Sequence, residues 1–472
     1  METASHKELF SFEGKPRLKD SLPLALQHVV AMIAGCITPA LIIAGAAGLE
    51  QGDKVLLIQM SLFMSAISTI IMLFPIFGFL GARLPVIIGA SFAYVPTMSA
   101  VASQFAASTG SPVQAIGIIL GAQIVGGIVA VLFGLAVKWI KPFFPPLVTG
   151  TVVFVIGLSL YSVAMKYMGG AGNVAVPGWG SWENWFVGIF TLACGIFFNH
   201  FTKGIFKLSS VLFAMIVGYI VSIPFGMVKL ASVGTAGWLA LAPPLHFFPI
   251  FEPAVIVSFV ILFIVNSIQA IGDFTSTTVG GMDRVPTTKE LRGGIVAYGF
   301  VNMLCAAMGC PPTATYSQNV GIVAQNRVIA RNVFLIAAII IGIAGICPKL
   351  SAILTTIPYP VIGGATLSVF AMITMNGIRL IAKQPFTPRN LTIVGLSVAA
   401  GMGFTAVVDM SKNVAGSVEA MGWLSPSAYT ALGTSPVVLA CIVAVILNLV
   451  LREKDEDRAP EDRVNKEEQA AA

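Results

Sequence analysis

Pro311-Pro312-Thr313-Ala314-Thr315-Tyr316-Ser317-Gln318-Asn319-Val320-Gly321 is the stretch that decides the architecture. It opens an apolar run, 316–330, that is shorter than the about 20 residues a helix needs to cross a bilayer. A second short run, 88–104, follows Leu84-Pro85 and reads Gly89-Ala90-Ser91-Phe92 at its start. Around these two, which are set apart by their Gly/Pro-broken entries, lie twelve further runs at 24–48, 55–80, 114–137, 146–166, 185–199, 211–227, 254–282, 292–310, 333–356, 361–382, 390–408 and 436–451. The short runs stand third and tenth of fourteen, so the pattern repeats after seven. A repeat with an odd number of crossings inserts its second half upside down relative to the first. Broken segments at matching places in two inverted halves point to a transporter's binding site. The reason is that a half-helix ending inside the membrane leaves backbone N–H groups for a ligand to satisfy. The expected fold is therefore an all-α integral membrane protein of 14 segments, with a first repeat over 21–227 and a second over 254–451.

Composition agrees. Of 472 residues, 56% are hydrophobic and 10% charged, and the mean hydropathy is +0.89. A soluble domain carries about 25% charged residues, so a soluble enzyme, a disordered chain and a disulfide-framed secreted domain are all excluded. The net charge of +6 reads as topology rather than as nucleic-acid binding. With the N-terminus in the cytoplasm, 22 of the 27 Lys and Arg residues fall on the cytoplasmic side and 5 outside. That is the asymmetry membrane insertion produces. It places both termini on the cytoplasmic side of a cytoplasmic membrane, with tails at 1–20 and 452–472; the polar first 20 residues lack the apolar run of a cleavable signal. The loop 409–435 is polar, and the tail after Leu451 is expected to be disordered. The six cysteines sit in or beside apolar runs without a C-x-x-C, and read as packing residues.

Polar groups within the runs are few. Among the acids between the first run and the tail, Asp273 alone lies deep in a run; such a group marks an ion or substrate path, or else sits at a helix end near the surface. Asn266, Gln269, Asp273 and Thr277 follow at intervals of 3, 4 and 4, which is one helix face. That stripe lines a wet cavity or bonds a neighbouring helix. Ser317, Gln318 and Asn319 stand together on the tenth segment. An amide offers a donor and an acceptor in one plane, which suits the edge of a flat heterocycle; the same chemistry would serve an ion site. Gln27-His28 is polar inside the first run, where a lone histidine more often bonds a packing neighbour than a ligand. No H-E-x-x-H, P-loop, G-x-S-x-G or His/Cys cluster occurs, which argues against an enzyme, a metal centre and an ATP-driven pump.

Gln318-Asn319-Val320-Gly321, with Asn326 and Arg327 closing the motif, resembles the signature of the nucleobase–ascorbate transporter (nucleobase:cation symporter-2) family. Gln27-His28, Gly89-Ala90-Ser91-Phe92, Gly272-Asp273 with Thr275, and Leu291-Arg292-Gly293-Gly294 extend the resemblance over about residues 20–450. It implies 14 segments divided into a core (segments 1–4 and 8–11) and a gate (5–7 and 12–14), a homodimer, and uptake of a nucleobase, mostly with protons. By the same resemblance the base lies between Gln318, Gln269, Ser91 and Phe92, with Asn319, Ser317 and His28 nearby. Gln at 318 resembles the purine branch, favouring xanthine or uric acid over uracil.

Three positions depart from that pattern. Gln269 stands where the family usually has Glu, Tyr298 where purine members often have Asp, and Asn326 where the signature has Thr. A glutamine bonds a base but carries no proton, so Asp273 is left as the coupling carboxylate, with Tyr298 at the second coupling position. The coupling ion is H⁺ or Na⁺, and no cofactor is implied. The rival expectations are a uracil or other nucleobase permease, an uncoupled facilitator, and an inorganic-anion transporter on the same fold.

Overall fold

The computed structural model describes residues 7–137, 145–171, 174, 176–230, 233–234, 236–411, 435–451 and 457. The loop expected at 409–435 and the C-terminal tail fall almost wholly outside them. The described chain is helical. Beside the short helix Ile205–Leu208, its helices are α1 (Leu18–Ala47), α2 (Gln51–Leu73), α3 (Val95–Thr109), α4 (Pro112–Leu135), α5 (Pro146–Met168), α6 (Trp182–Phe201) and α7 (Ser210–Ser222). They continue with α8 (Pro253–Met282), α9 (Thr288–Ala307), α10 (Ser317–Asn326), α11 (Arg331–Gly345), α12 (Pro348–Thr355), α13 (Tyr359–Ile381), α14 (Pro388–Ser411) and α15 (Pro436–Val450). Among the described residues, 8 helices are long and apolar enough to cross a membrane, or 9 if α11 and α12 form one span broken by 79°. The break falls at Ile346-Cys347, just before Pro348, whose ring cannot continue the preceding helix.

Every apolar run contains a helix, but the all-α expectation needs correction at the two short ones. Each begins with a three-residue strand, β1 (Ile88–Ala90) and β2 (Thr313–Thr315). The strands pair antiparallel, with Ile88 opposite Thr315, Gly89 opposite Ala314 and Ala90 opposite Thr313. Lone extended segments in an apolar interior would leave backbone groups unpaired, and pairing with each other satisfies them. Side chains complete the job. Thr69 of α2 accepts from Ile88 N at 3.0 Å, and Asn302 of α9 accepts from Thr313 N at 2.8 Å and donates to Thr313 O at 3.2 Å. Gly89 is required here: a Cβ would lie 2.7 Å from the Tyr316 ring and 2.8 Å from Cys36 Sγ.

Helix starts follow local chemistry. Proline opens α4, α5, α8, α13 and α15, where its missing N–H costs nothing. At α9, Thr287 and Glu290 form a reciprocal capping box. The packing is ordered: α4 lies on α8 and α9, and α11 lies on α1 and α2. Likewise α6 packs on α7 and α14 on α15, α1 on α3 and α8 on α10, while α5 and α13 form the most extensive contact. The approach of α4 to α9 is set by Gly127 and Gly299, where a Cβ on either would fall within 3 Å of the other's carbonyl oxygen. Tyr94, Phe259, Phe263 and Tyr298, all fully buried, form an aromatic cluster between the start of α3 and helices α8 and α9.

Candidate functional site at the crossed strands

β1 leads through a single 3-10 turn, Phe92–Tyr94, into α3, and β2 leads directly into α10. Because the strands are antiparallel, the two helices run away from each other. Their N-termini, with exposed N–H groups and positive dipole ends, flank the strand pair. Ser91 caps the turn by accepting from Ala93 N at 3.2 Å.

α8 lies alongside and carries the polar stripe expected from the sequence. Asn266 donates to Ser91 Oγ at 3.3 Å, tying α8 to the start of α3. Asp273 is buried at 8% exposure and accepts from Ser317 Oγ at 2.9 Å and from Thr315 Oγ1. The carboxylate therefore clasps the start of α10. Gln269 stands between these two ties, three residues after Asn266 and four before Asp273, on the same face. Gln318 is the residue after Ser317 and is exposed, while Gln269 is half-buried. Neither amide has a hydrogen-bond partner among the described residues. Beside them stand Gly272 and Gly321, one turn along their helices, and a Cβ on either would meet nothing within 4 Å. The two free amides thus border open space next to the two helix N-termini. Phe92 closes another side, packed edge-on against Phe370 of α13 with centroids 5.5 Å apart.

Other expected site residues have different neighbours. Asn319 is buried and donates to His28 Nδ1 at 3.0 Å and to His28 O at 3.3 Å. Asn326 donates to Gln27 Oε1 at 3.3 Å. The pair in the first helix and the two asparagines of the motif therefore join α10 to α1, and His28, 1% exposed, also packs on Phe334. Arg327 adopts a left-handed conformation, φ 56°, ends α10 and pairs with Asp283 at 3.1 Å on the surface. Tyr298 is bonded through its hydroxyl to Tyr94 in the aromatic cluster, apart from Asp273. Sequence reasoning did not find Tyr94, Thr315, Phe370 or Asn302, because their roles arise from contacts between distant segments. The six cysteines are all free.

Comparison with known proteins gives the family. The family model Xan_ur_permease, described as Permease family, matches residues 19–410. The chain is 31% identical to the xanthine permease of Bacillus subtilis over 460 residues, covering 96% of this chain and 98% of that one. It is 32% identical to the uric acid permease PucK of Bacillus subtilis over 443 residues, 92% and 96% of the two chains. Among solved structures, the transmembrane domain of the cyanobacterial bicarbonate transporter BicA superposes with a TM-score of 0.59 at 17% identity, over 92% of this chain and 99% of that one. That likeness is one of fold. A matched stretch that takes in both short runs and the Gln318 motif, with relatives aligned almost end to end, means that the chain belongs to the nucleobase:cation symporter-2 family of permeases.

Proposed function

We propose that this chain carries a purine nucleobase, xanthine or uric acid, into the cell by alternating access, coupled to H⁺ or Na⁺ through Asp273. The observation that carries the reading is the pair of unpartnered amides, Gln269 and Gln318, beside open space at the crossed strands. A half-buried amide such as Gln269 normally finds a partner within the protein, whereas Gln318 is exposed and free to meet a ligand. Two left free on facing elements suit a flat ligand with donors and acceptors along its edges, and the names of the two Bacillus relatives give that ligand a class. A base held there would take hydrogen bonds from both amides and from the Phe92 N–H, the Ser91 N–H being bonded to the Pro312 carbonyl at 2.9 Å, with the Phe92 ring against it.

The layout we propose is 14 segments in two inverted sevens. It is supported by the packing, in which a contact between two helices recurs between the helices seven segments on: α1 with α3 and α8 with α10, α6 with α7 and α14 with α15. The antiparallel strands fall on the axis such a repeat would have. Segments 1–4 and 8–11 form the core that carries the site, and 5–7 and 12–14 the gate, met by Phe92 at Phe370. Both termini lie in the cytoplasm, and the protein works as a homodimer in the cytoplasmic membrane.

A second reading, an uncoupled facilitator, is favoured by two observations: Gln269 carries no proton, and the Tyr298 hydroxyl is engaged by Tyr94. Uptake of labelled xanthine, uric acid and uracil into proteoliposomes, with an imposed proton or Na⁺ gradient, separates the readings. Gradient-driven purine accumulation supports symport, and equilibration that ignores both gradients supports the facilitator. Uptake of uracil alone moves the substrate to pyrimidines. No uptake of any base refutes the proposal.

A further inference from the structure

The segment ahead of α1 is folded against the end of the molecule where α2 ends and α11 begins. Leu9, 5% exposed, belongs to the hydrophobic core. Its carbonyl oxygen accepts from Ile329 N at 3.0 Å and Ala330 N at 3.1 Å, and the Phe12 carbonyl accepts from Arg331 N at 3.0 Å. The three donors form the turn that follows α10. Glu13 then binds two arginines at once, Arg83 at 2.7 Å and Arg331 at 2.7 Å. Arg83 lies in the turn ahead of β1, with φ 53°, and its N–H bonds Met72 O at the end of α2. Arg331 opens α11 and lies 5.1 Å from the centre of the Phe74 ring. One short segment therefore holds both turns that anchor the two half-helices.

This matters because α10 is short. Ten residues is below the length at which an isolated helix is stable, so its attitude depends on what holds its ends. At the start it is held by Asp273. At the end, Arg327 is in the left-handed conformation and the next backbone donors go to the N-terminal segment. We propose that Leu9–Glu13 form a positioning strap that joins the turn after α10 to the turn ahead of β1 and so sets the attitude of α10 and of Gln318. The proposal rests on the transport reading only in naming what Gln318 binds.

The test uses the full-length protein in lipid nanodiscs, as wild type, Glu13→Ala, Glu13→Asp and Leu9→Ala. Hydrogen exchange is followed at residues 317–331, and xanthine and uric acid affinities are measured on the same samples. Glu13→Ala is expected to speed exchange at Ile329, Ala330 and Arg331, and along α10, by about five-fold, the scale of two exposed ion pairs. Affinity falls by a similar factor. Glu13→Asp restores part of both, and raising KCl on the wild type reproduces the Glu13→Ala pattern, because salt screens exposed pairs. Leu9→Ala gives the same pattern through lost packing and stays sensitive to salt because its Glu13 pairs remain, whereas Glu13→Ala no longer responds to salt. Faster exchange confined to 329–331, with α10 and affinity unchanged, overturns the proposal, as does no change at any site. If the wild type binds neither purine, the transport reading fails, and exchange along α10 still decides the strap.

Discussion

Replacing Asp273 separates two roles that the geometry gives it. The carboxylate accepts from Thr315 and Ser317, and it is the carboxylate proposed to couple transport. Asp273→Ala removes both acceptors. Thr315 is 4% exposed, so its orphaned hydroxyl costs about 1–3 kcal/mol. Ser317 is exposed and recovers water, so it adds only about 0.5 kcal/mol. The start of α10 is thus released by about 2 kcal/mol, and at about 1.4 kcal/mol per factor of ten the competent site is depleted some 30-fold. Asp273→Asn keeps one acceptor oxygen of the same shape and removes the exchangeable charge. Its base affinity is expected to fall only a few-fold, while accumulation against a gradient disappears and equilibrative exchange persists. Binding in nanodiscs and gradient-driven uptake in proteoliposomes read the two effects separately. Wild-type affinity in Asp273→Ala would show that the carboxylate does not hold α10. Undiminished accumulation in Asp273→Asn would show that it does not couple.

Gly321→Ala should raise thermal stability, by up to about 1 kcal/mol of helix propensity without any clash, while weakening base binding by filling the space beside Gln318; a thermal melt and a binding isotherm check the two opposite signs. Tyr298→Phe leaves the buried Tyr94 hydroxyl without that partner and should cost about 1–2 kcal/mol, seen as a lower melting temperature, with the gradient dependence of uptake unaltered. The hydrogen bond from Arg83 lowers the Glu13 carboxyl below its ordinary range, slight burial opposing and Arg331 assisting. Its contribution is therefore full above the ordinary glutamate value, about 4.3, and is lost as pH falls through the lowered one. Amide exchange at Ile329–Arg331, corrected for intrinsic rates, should stay protected down to about pH 4.3 and lose protection below it.

Much of the fold was legible because a bilayer imposes long apolar runs, and each run found its helix. The strands were not legible: Ile88–Ala90 and Thr313–Thr315 are too short for a period of two to register, and each is stable only because the other lies beside it. At the site, the stripe Asn266–Gln269–Asp273 could be read from helical spacing. That Asn319 engages His28, or Tyr298 engages Tyr94, could not, since those partners lie 291 and 204 residues away. A polar residue in an apolar run announces that it has a partner, without saying whether that partner is the protein or a ligand.

The two half-helices are alike in shape and unlike in electrical character. At the start of α10 a carboxylate already faces the positive end of the helix. At the Ser91–Tyr94 turn ahead of α3 the bonded partners are the Pro312 carbonyl, the Asn266 amide and the Tyr298 hydroxyl, all neutral. On the proposed reading, a base entering between them would meet a polarised slot, with its most electron-rich carbonyl drawn toward α3 and its N–H edge toward α10. The slot would sort guests by the direction of their dipole moment, so isomers of equal size that differ only in where their oxygens sit would be told apart by orientation before any contact is optimised.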